Sequence, residues 1–139
     1  MQRFIRRTSY RATGTWRDNL SRTALDLNAE RYDAPEQLHA ILSNYLTQWE
    51  TIYGEGKDEI TLSRRFAGVI QRAYEQTGRG VVVLVDEYDK PLLQAINNQK
   101  LTENYRQTLK AFYGVLKMPR QNDIIKSYSI SFSNSWDSL

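Results

Sequence analysis

Three acidic side chains follow a short aliphatic run and are the residues best suited to chemistry in this sequence. The run Val81-Val82-Val83-Leu84-Val85 leads directly into Asp86 and Glu87, with Asp89 two positions further on. An aspartate at the end of a buried strand can hold Mg²⁺ through water, and a neighbouring glutamate can polarise an attacking water. Asp86 would take the first role and Glu87 the second. An acidic turn that merely follows a buried strand explains the same pattern, so the pattern alone leaves both explanations open.

Composition excludes several other kinds of site. The 139 residues contain no cysteine, which rules out disulfides, thiolate metal sites and a cysteine nucleophile. A single histidine, His39, excludes a multi-histidine metal cluster and is expected to lie exposed, one residue away from an apolar stripe. No apolar stretch approaches the roughly 18 residues that span a bilayer. The chain is therefore predicted to be a cytoplasmic protein with no membrane partner.

The elements that must position the acids alternate between helix and strand. Five consecutive aliphatics predict a strand covered on both faces, as in a parallel sheet flanked by helices. The order strand, two helices, buried strand, helices, strand indicates an α/β fold in which crossovers join parallel neighbours. Strands are predicted near 23–28, 80–86 and 124–132, and helices near 34–53, 61–77 and 102–117.

Local signals refine two of these helices. Asp33 with Glu36 three residues later is a capping-box arrangement that predicts the start of the first helix, with Pro35 in its first turn. In the second helix, Arg64, Arg65 and Arg72 lie opposite the apolar stripe, and charged residues in that position are normally solvated.

The segment around the acids resembles a known family. Residues 83–93, Val-Leu-Val-Asp-Glu-Tyr-Asp-Lys-Pro-Leu-Leu, are similar to the Walker B segment of the bacterial AAA-ATPase-like family, whose ATPase domain is often fused to a PD-(D/E)XK nuclease domain. Residues 25–32 are similar to its second-strand segment, and residues 109–117 to the helix after Walker B. The resemblance implies a P-loop NTPase of AAA type with a three-layer sheet. It also implies ATP and Mg²⁺ as cofactors, with Asp86 holding the metal through water and Glu87 as the catalytic residue.

Two departures from the family pattern lead to an expectation of a partial domain. The family's phosphate-binding Gly-Lys-Ser/Thr motif, Walker A, should precede residue 23, yet residues 1–22 contain one glycine, Gly14, and no lysine. Asn134 matches the polar sensor residue by position only. The chain is therefore expected to be inactive alone, and the missing first strand is expected to leave an unpaired edge at residues 124–132 that invites self-association.

Charge is concentrated at the start of the chain. Residues 1–22 carry six arginines against one acid, Asp18, while the whole chain has a net charge of +3. We interpret residues 1–22 as a basic arm and residues 23–139 as the partial ATPase-like domain. The alternative function is a non-catalytic interaction or nucleic-acid-binding module that uses residues 3–22. A metal-dependent nuclease or phosphatase with Asp86 and Asp89 as paired ligands is a weaker alternative, because companion ligands are missing.

Overall fold

A computed structural model describes residues 4–6, 20–28, 31–118 and 125–131. Four strands and their connecting helices lie in these ranges. In chain order they are β1 (Phe4–Arg6), β2 (Leu20–Asp26), α1 (Pro35–Tyr53), α2 (Leu62–Thr77), β3 (Gly80–Asp86), α3 (Lys90–Gln94), α4 (Gln99–Gly114), a 3₁₀ turn (Val115–Lys117) and β4 (Ile125–Ser131). The mixed α/β class predicted from the sequence is confirmed, and each predicted element is present within a few residues of its expected bounds.

The sheet has the strand order β1-β4-β3-β2. β3 pairs in parallel with β2 on one side and with β4 on the other. Going from β2 to β3 to β4, the chain steps in the same direction each time. The helices of the two connections pack against each other, since Phe66 of α2 stacks on Phe112 of α4, so both connections lie on one face of the sheet. The described ranges accordingly hold one helical layer, and the three-layer arrangement stays a prediction.

The whole of β1 and the first residues of β2 lie in the segment that was predicted to be a basic arm. β1 lies within residues 1–22, and β2 begins at Leu20, three residues before the predicted strand. β1 pairs antiparallel with β4, with Phe4 opposite Ser131 and Arg6 opposite Ser129. The expectation of an unpaired edge at 124–132 is therefore wrong for residues 129–131. Three residues without a periodic pattern gave no signal for this strand.

The core lies between the helical layer and the face of the sheet that carries the alternate residues of β2 and β3. Leu25 and Val83 are almost fully buried against it, as the strand period of two requires. An aromatic row crosses the layer from α1 to α4, each ring within 6 Å of the next between centroids. Its members are Tyr45, Trp49, Phe66, Phe112 and Tyr113.

The first helix starts one residue later than the capping pattern predicted. Ala34, not Asp33, is the N-cap, and it makes no side-chain cap. Instead the Gln37 side chain reaches back and accepts a hydrogen bond from the Asp33 amide N–H at 2.6 Å. Pro35 occupies the first turn as predicted, where its missing N–H leaves no broken bond.

Two arginines predicted to be solvated instead join elements. Arg65 binds Glu50 of α1 at 2.6 Å and also donates to Ser43. Arg72 binds Glu59 through two hydrogen bonds, at 2.6 and 2.8 Å. Arg64 is exposed, as predicted. The prediction failed for the first two because periodicity identifies the apolar stripe but not the acids that neighbouring segments bring beside it.

The loop of residues 54–61 folds back along α2. Near the start of α2, Arg65 donates a hydrogen bond to Ser43 of α1. Near the end of α2, Gln76 donates to the carbonyl of Tyr53, the last residue of α1, at 2.6 Å. α1 and α2 therefore run roughly parallel, and the loop between them must return. It places the Glu59 carboxylate where a Cβ on Gly68 would overlap it. Within the described ranges, no helix is long and apolar enough to cross a membrane.

Candidate functional site

Asp86 ends β3, which has a parallel neighbour on each side. Residues 81–83 and 85 of this strand are buried, whereas Asp86 is exposed. In open α/β sheets, ligands bind beyond the carboxyl ends of the strands. The structure thus places Asp86 and the residue after it at the edge where the sequence pattern predicted chemistry.

Glu87 adopts a left-handed backbone conformation, with φ at 55°. Among the described residues it alone does so without being glycine. The Asp86 carboxylate accepts a hydrogen bond from the Glu87 amide N–H through Oδ1 at 3.0 Å, and the Glu87 carbonyl accepts one from the Lys90 amide at 3.1 Å. Residues held in this region cluster at active sites, where the surrounding structure fixes them.

Asp26 lies beside Asp86 and was not among the site residues predicted from the sequence. The two are paired in the register of β2 and β3, and paired residues of parallel strands project from the same face of a sheet. Asp26 Oδ1 accepts a hydrogen bond from the Asn28 amide at 2.8 Å. The usable signal was an acid at the end of a segment that resembles the family's second strand, which is the neighbour of the Walker B strand.

Tyr45 of α1 fixes the end of β2 at this edge. Its hydroxyl accepts a hydrogen bond from the Asp26 amide at 3.1 Å and donates one to the Asp26 carbonyl at 3.2 Å. Further along, the Tyr32 hydroxyl donates to the Leu27 carbonyl at 2.6 Å, and the Tyr32 amide donates to Gln94 at 3.0 Å. The loop after β2 is therefore tied both to its own strand and to α3, which follows the acidic turn.

Asp89 differs from Asp86 in its surroundings. It is 2% exposed, and its carbonyl accepts a hydrogen bond from the Leu93 amide in α3. A metal ion bound by both the exposed Asp86 and the buried Asp89 would have to lie partly below the protein surface. In the described part of the chain, no three His, Cys, Asp or Glu residues lie close enough to hold a metal ion together. The paired-ligand alternative gains no support from this geometry.

Two tyrosines pack together beneath the acidic turn. The Tyr88 ring lies 5.0 Å from that of Tyr113, between centroids. Burial raises the pKa of Tyr113 well above its ordinary value, with smaller contributions from Tyr88 and Tyr32, and burial also raises the pKa of Tyr88. Both phenols therefore stay neutral across the physiological range and act as packing groups.

The chemistry available at this edge fits a hydrated Mg²⁺ ion. Mg²⁺ prefers carboxylate oxygens, keeps several waters and is bound through one or two acids. Asp86 uses Oδ1 for the Glu87 amide, and among the described residues Oδ2 takes no hydrogen bond. That oxygen can accept from a metal-bound water, and the half-buried Glu87 is the next residue in the chain.

The glycine-containing segments do not supply a phosphate cradle. Gly56-Lys57-Asp58 belongs to the loop after α1, where the Gly56 amide donates to Glu59 at 3.3 Å. Gly78-Arg79-Gly80 leads into β3, whose first residue is Gly80, and so lies at the amino end of that strand, away from Asp86. Asn134 and most of residues 1–22 lie outside the described residues.

Comparison with known proteins identifies one matching family. The family model described as "Predicted AAA-ATPase" matches residues 11–131, most of the chain. An uncharacterised protein in the vnfD 5′ region of Azotobacter chroococcum mcd 1 is 33% identical over 82 residues, which is 59% of this chain and 16% of that protein. The chain thus spans about a sixth of the length of this relative. No solved structure matches the chain.

Proposed function

Because this chain belongs to the predicted AAA-ATPase family, we propose that the turn after β3 is the Walker B part of an ATP-hydrolysing site. The ATPase-like ancestry comes from the family. The assignment of Walker B to this turn rests on the exposed acid Asp86 at the carboxyl end of a buried parallel strand, followed by Glu87. Mg²⁺ and ATP are the ligands that this site would bind in a complete domain.

The two acids divide the work by position. Asp86 would hold Mg²⁺ through water, and a bound Mg²⁺ would supply positive charge to neutralise the phosphates. Glu87 polarises the attacking water, which is the part a carboxylate can play beside a metal-bound triphosphate. Asp26 stands next to Asp86 and adds negative charge that favours a cation at this edge.

A second observation supports the proposal, namely the left-handed conformation of Glu87, whose amide donates to the carboxylate of Asp86. A solvated acidic turn gains nothing from placing a side-chain-bearing residue in this region, because a left-handed residue costs about 1–2 kcal/mol. In a catalytic site the same conformation is useful, because it directs the Glu87 carboxylate to a fixed point beyond the end of the strand.

The 139 residues contain no Gly-Lys-Ser or Gly-Lys-Thr sequence. The backbone amides and lysine that hold a triphosphate in P-loop enzymes must then come from another polypeptide segment. We therefore propose that this chain alone does not hydrolyse ATP. Mg²⁺-ATP should give neither turnover nor a thermal shift, and saturable binding at micromolar ATP would contradict this part of the proposal.

The proposed roles are tested by joining a phosphate-binding strand and loop from a family member to the start of the chain. This fusion should hydrolyse ATP, and Glu87→Gln should lower kcat at least about 100-fold, within the range for a lost general base, without weakening ATP binding. Asp86→Asn should weaken Mg²⁺-dependent binding. The matched control is Glu75→Gln, an exposed carboxylate on α2. Equal activity of the Glu87→Gln and Glu75→Gln proteins would contradict the assignment.

The arginines of residues 1–22 favour a second candidate, binding of nucleic acid. Six arginines against one acid give this segment a charge that phosphates would attract. Because β1 and the start of β2 lie in the same segment, deleting it would remove strands from the sheet. Replacing Arg7, Arg11 and Arg17 by Gln is the cleaner test. Salt-sensitive DNA binding that is unaffected by these changes would exclude the arm as its cause.

A further inference from the structure

The end of β2 lies at the outer edge of the sheet. β2 is the last strand in the order β1-β4-β3-β2, so β3 pairs with it on one side only. The Leu27 amide donates to the Asp86 carbonyl at 3.0 Å and therefore points toward β3. Backbone polar groups of successive strand residues point to opposite sides, so the N–H and C=O of Asp26 point away from β3. The outer edge thus ends in two polar groups of Asp26 that β3 does not reach.

The Tyr45 hydroxyl takes the place that a neighbouring strand would fill beside Asp26. It accepts a hydrogen bond from the Asp26 amide at 3.1 Å and donates one to the Asp26 carbonyl at 3.2 Å. One hydroxyl can do both, because it has one donor hydrogen and two acceptor lone pairs. Residues paired across two strands exchange the same two kinds of bond. Tyr45 therefore closes the edge of the sheet at the last residue of β2.

These two hydrogen bonds hold both peptide groups that flank the Cα atom of Asp26. The amide belongs to the peptide unit before this atom and the carbonyl to the unit after it, and each unit is planar. Restraining both planes restrains φ and ψ of Asp26, and hence the direction of its Cβ. Leu27 holds the second plane from the β3 side as well, so Tyr45 adds to a restraint that the sheet begins. The Asp26 side chain is thereby directed along the face that it shares with Asp86.

The ring of Tyr45 is anchored in the helical layer. Its centroid lies 5.9 Å from that of Trp49, which is 7% exposed. The Trp49 ring in turn lies 5.9 Å from the ring of Phe66 in α2. Side chains in a closely packed interior have little freedom to move. The hydroxyl is therefore presented to Asp26 from a support that α1 and α2 share.

We propose that Tyr45 is a positioning residue for the proposed Mg²⁺ site and acts through Asp26, an inference that rests on the metal-binding role proposed for Asp86. The phenol holds the main chain of Asp26 so that its carboxylate stays beside that of Asp86. Two negative charges attract a hydrated cation more strongly than one does. Without the hydroxyl, Asp26 gains freedom to turn, and its charge supports the metal site less well.

The geometric part is tested on the 139-residue chain by amide hydrogen exchange. The Asp26 amide should be protected in the parent, although it faces away from β3. Tyr45→Phe keeps the ring and should speed exchange at Asp26, relative to exchange at Leu27, by at least about fivefold, as expected when a typical hydrogen bond is lost. The matched control is Tyr53→Phe, which removes a hydroxyl from the last residue of the same helix and should leave this ratio unchanged.

Two results would overturn the geometric part. An Asp26 amide that exchanges without protection in the parent would mean that the phenol does not close the edge, and this measurement needs no variant to fold. Equal acceleration at Asp26 and Leu27 in the Tyr45→Phe chain would mean that the hydroxyl contributes only to overall stability.

The functional part is measured in the fusion that carries a phosphate-binding segment. Asp26→Asn should raise the Mg²⁺ concentration for half-maximal ATP hydrolysis about fivefold, the effect of one unit charge at close range in water. Tyr45→Phe should raise it at least about twofold and leave kcat at saturating Mg²⁺ unchanged, since the direction of Glu87 does not depend on this edge. In the Asp26→Asn background, Tyr45→Phe should add no further shift, because it acts through the carboxylate that is already lost.

The outcomes of this second experiment separate the two proposals. An unchanged Mg²⁺ dependence in Tyr45→Phe, or the same shift in the parent and in the Asp26→Asn background, would contradict positioning through Asp26. An inactive parent fusion would instead count against the proposed function, while hydrogen exchange would still decide whether Tyr45 holds Asp26.

Discussion

Glu87 occupies a backbone conformation whose cost has to be offset locally. The left-handed region costs an ordinary residue about 1–2 kcal/mol. The exposed hydrogen bond from its amide to the Asp86 carboxylate offsets part of this cost, since a typical hydrogen bond contributes about 0.5–1.5 kcal/mol. The two acids are therefore coupled through the backbone, and a change at Asp86 should alter the direction of Glu87 as well as any metal contact.

Replacing Glu87 by glycine should separate stability from function. Glycine adopts φ near 55° without strain, and this gain exceeds the conformational entropy that glycine adds to the unfolded chain. We expect the free energy of unfolding of Glu87→Gly to equal or exceed that of the parent by about 0.5 kcal/mol. Urea unfolding of the 139-residue chain measures it.

The control for that change is Glu75→Gly in α2. Glutamate there has ordinary helical conformation, so glycine should lower the free energy of unfolding by about 0.5–1 kcal/mol. Equal losses at positions 87 and 75 would mean that Glu87 is not left-handed in solution.

At the scale of elements, Gly68 shows how a loop and a helix depend on each other. Glycine in the middle of α2 lowers helix stability, yet a Cβ at this position would overlap the Glu59 carboxylate. The loop that crosses the helix therefore explains why position 68 is glycine. The effect of a Gly68→Ala change on the free energy of unfolding should change sign when the Glu59 side chain is removed.

A double-mutant cycle tests this explanation. Gly68→Ala in the parent should give no gain in stability, or a loss, because Glu59 is pushed away from Arg72. In a Glu59→Ala background, the same change should stabilise by about 0.5–1 kcal/mol, the ordinary advantage of alanine over glycine in a helix. The same gain in both backgrounds would show that the loop does not lie over Gly68.

The pair of Glu59 and Arg72 should also make stability depend on pH. The hydrogen-bonded Arg72 guanidinium holds the pKa of Glu59 below its ordinary value. A carboxyl whose pKa is lower when folded contributes stability above its unfolded pKa, about 4.3, and loses it as the pH falls through the folded value. Glu59→Gln should therefore be less stable than the parent near neutral pH, and the difference should shrink below about pH 4.3.

The matched variant for this measurement is Glu103→Gln, which removes an exposed ion pair with Arg106. Exposed pairs contribute little, so its unfolding curve should follow that of the parent at every pH. A pH-independent gap between Glu59→Gln and the parent would indicate that Glu59 contributes by packing alone.

Patterns of apolar residues predicted the elements, but not the contacts between them. The valine-rich run determines β3, and hence where Asp86 lies, because such a run can only be buried on both sides. The pairing of Asp26 with Asp86 depends on the register between β2 and β3, which the crossover sets and no local pattern encodes. The ion pairs of Arg65 and Arg72 could not be predicted from the sequence either, because they depend on the path of the loop between α1 and α2.

For the whole molecule, the exposed Lys57 in the returning loop offers a place to cut without unfolding. The segments on either side remain joined by the parallel pairing of β2 with β3 and by the packing of α1 on α2. We expect brief digestion with a lysine-specific protease to give fragments 1–57 and 58–139 that elute together in native size-exclusion chromatography. A Lys57→Gln chain should not be cut there, and separation of the two fragments in native buffer would contradict the expectation.

The antiparallel pairing of β1 with β4 has a consequence for the order in which the chain acquires its structure. Ile5 pairs with Ile130, so 125 residues separate the two strands along the chain. During synthesis, β2, α1, α2 and β3 can all assemble while β1 has nothing to pair with, because its partner is not yet made. Closing so long a loop carries an entropic cost that local contacts avoid. β1 leaves the ribosome before the other three described strands and should thus be the last of the four to enter the sheet.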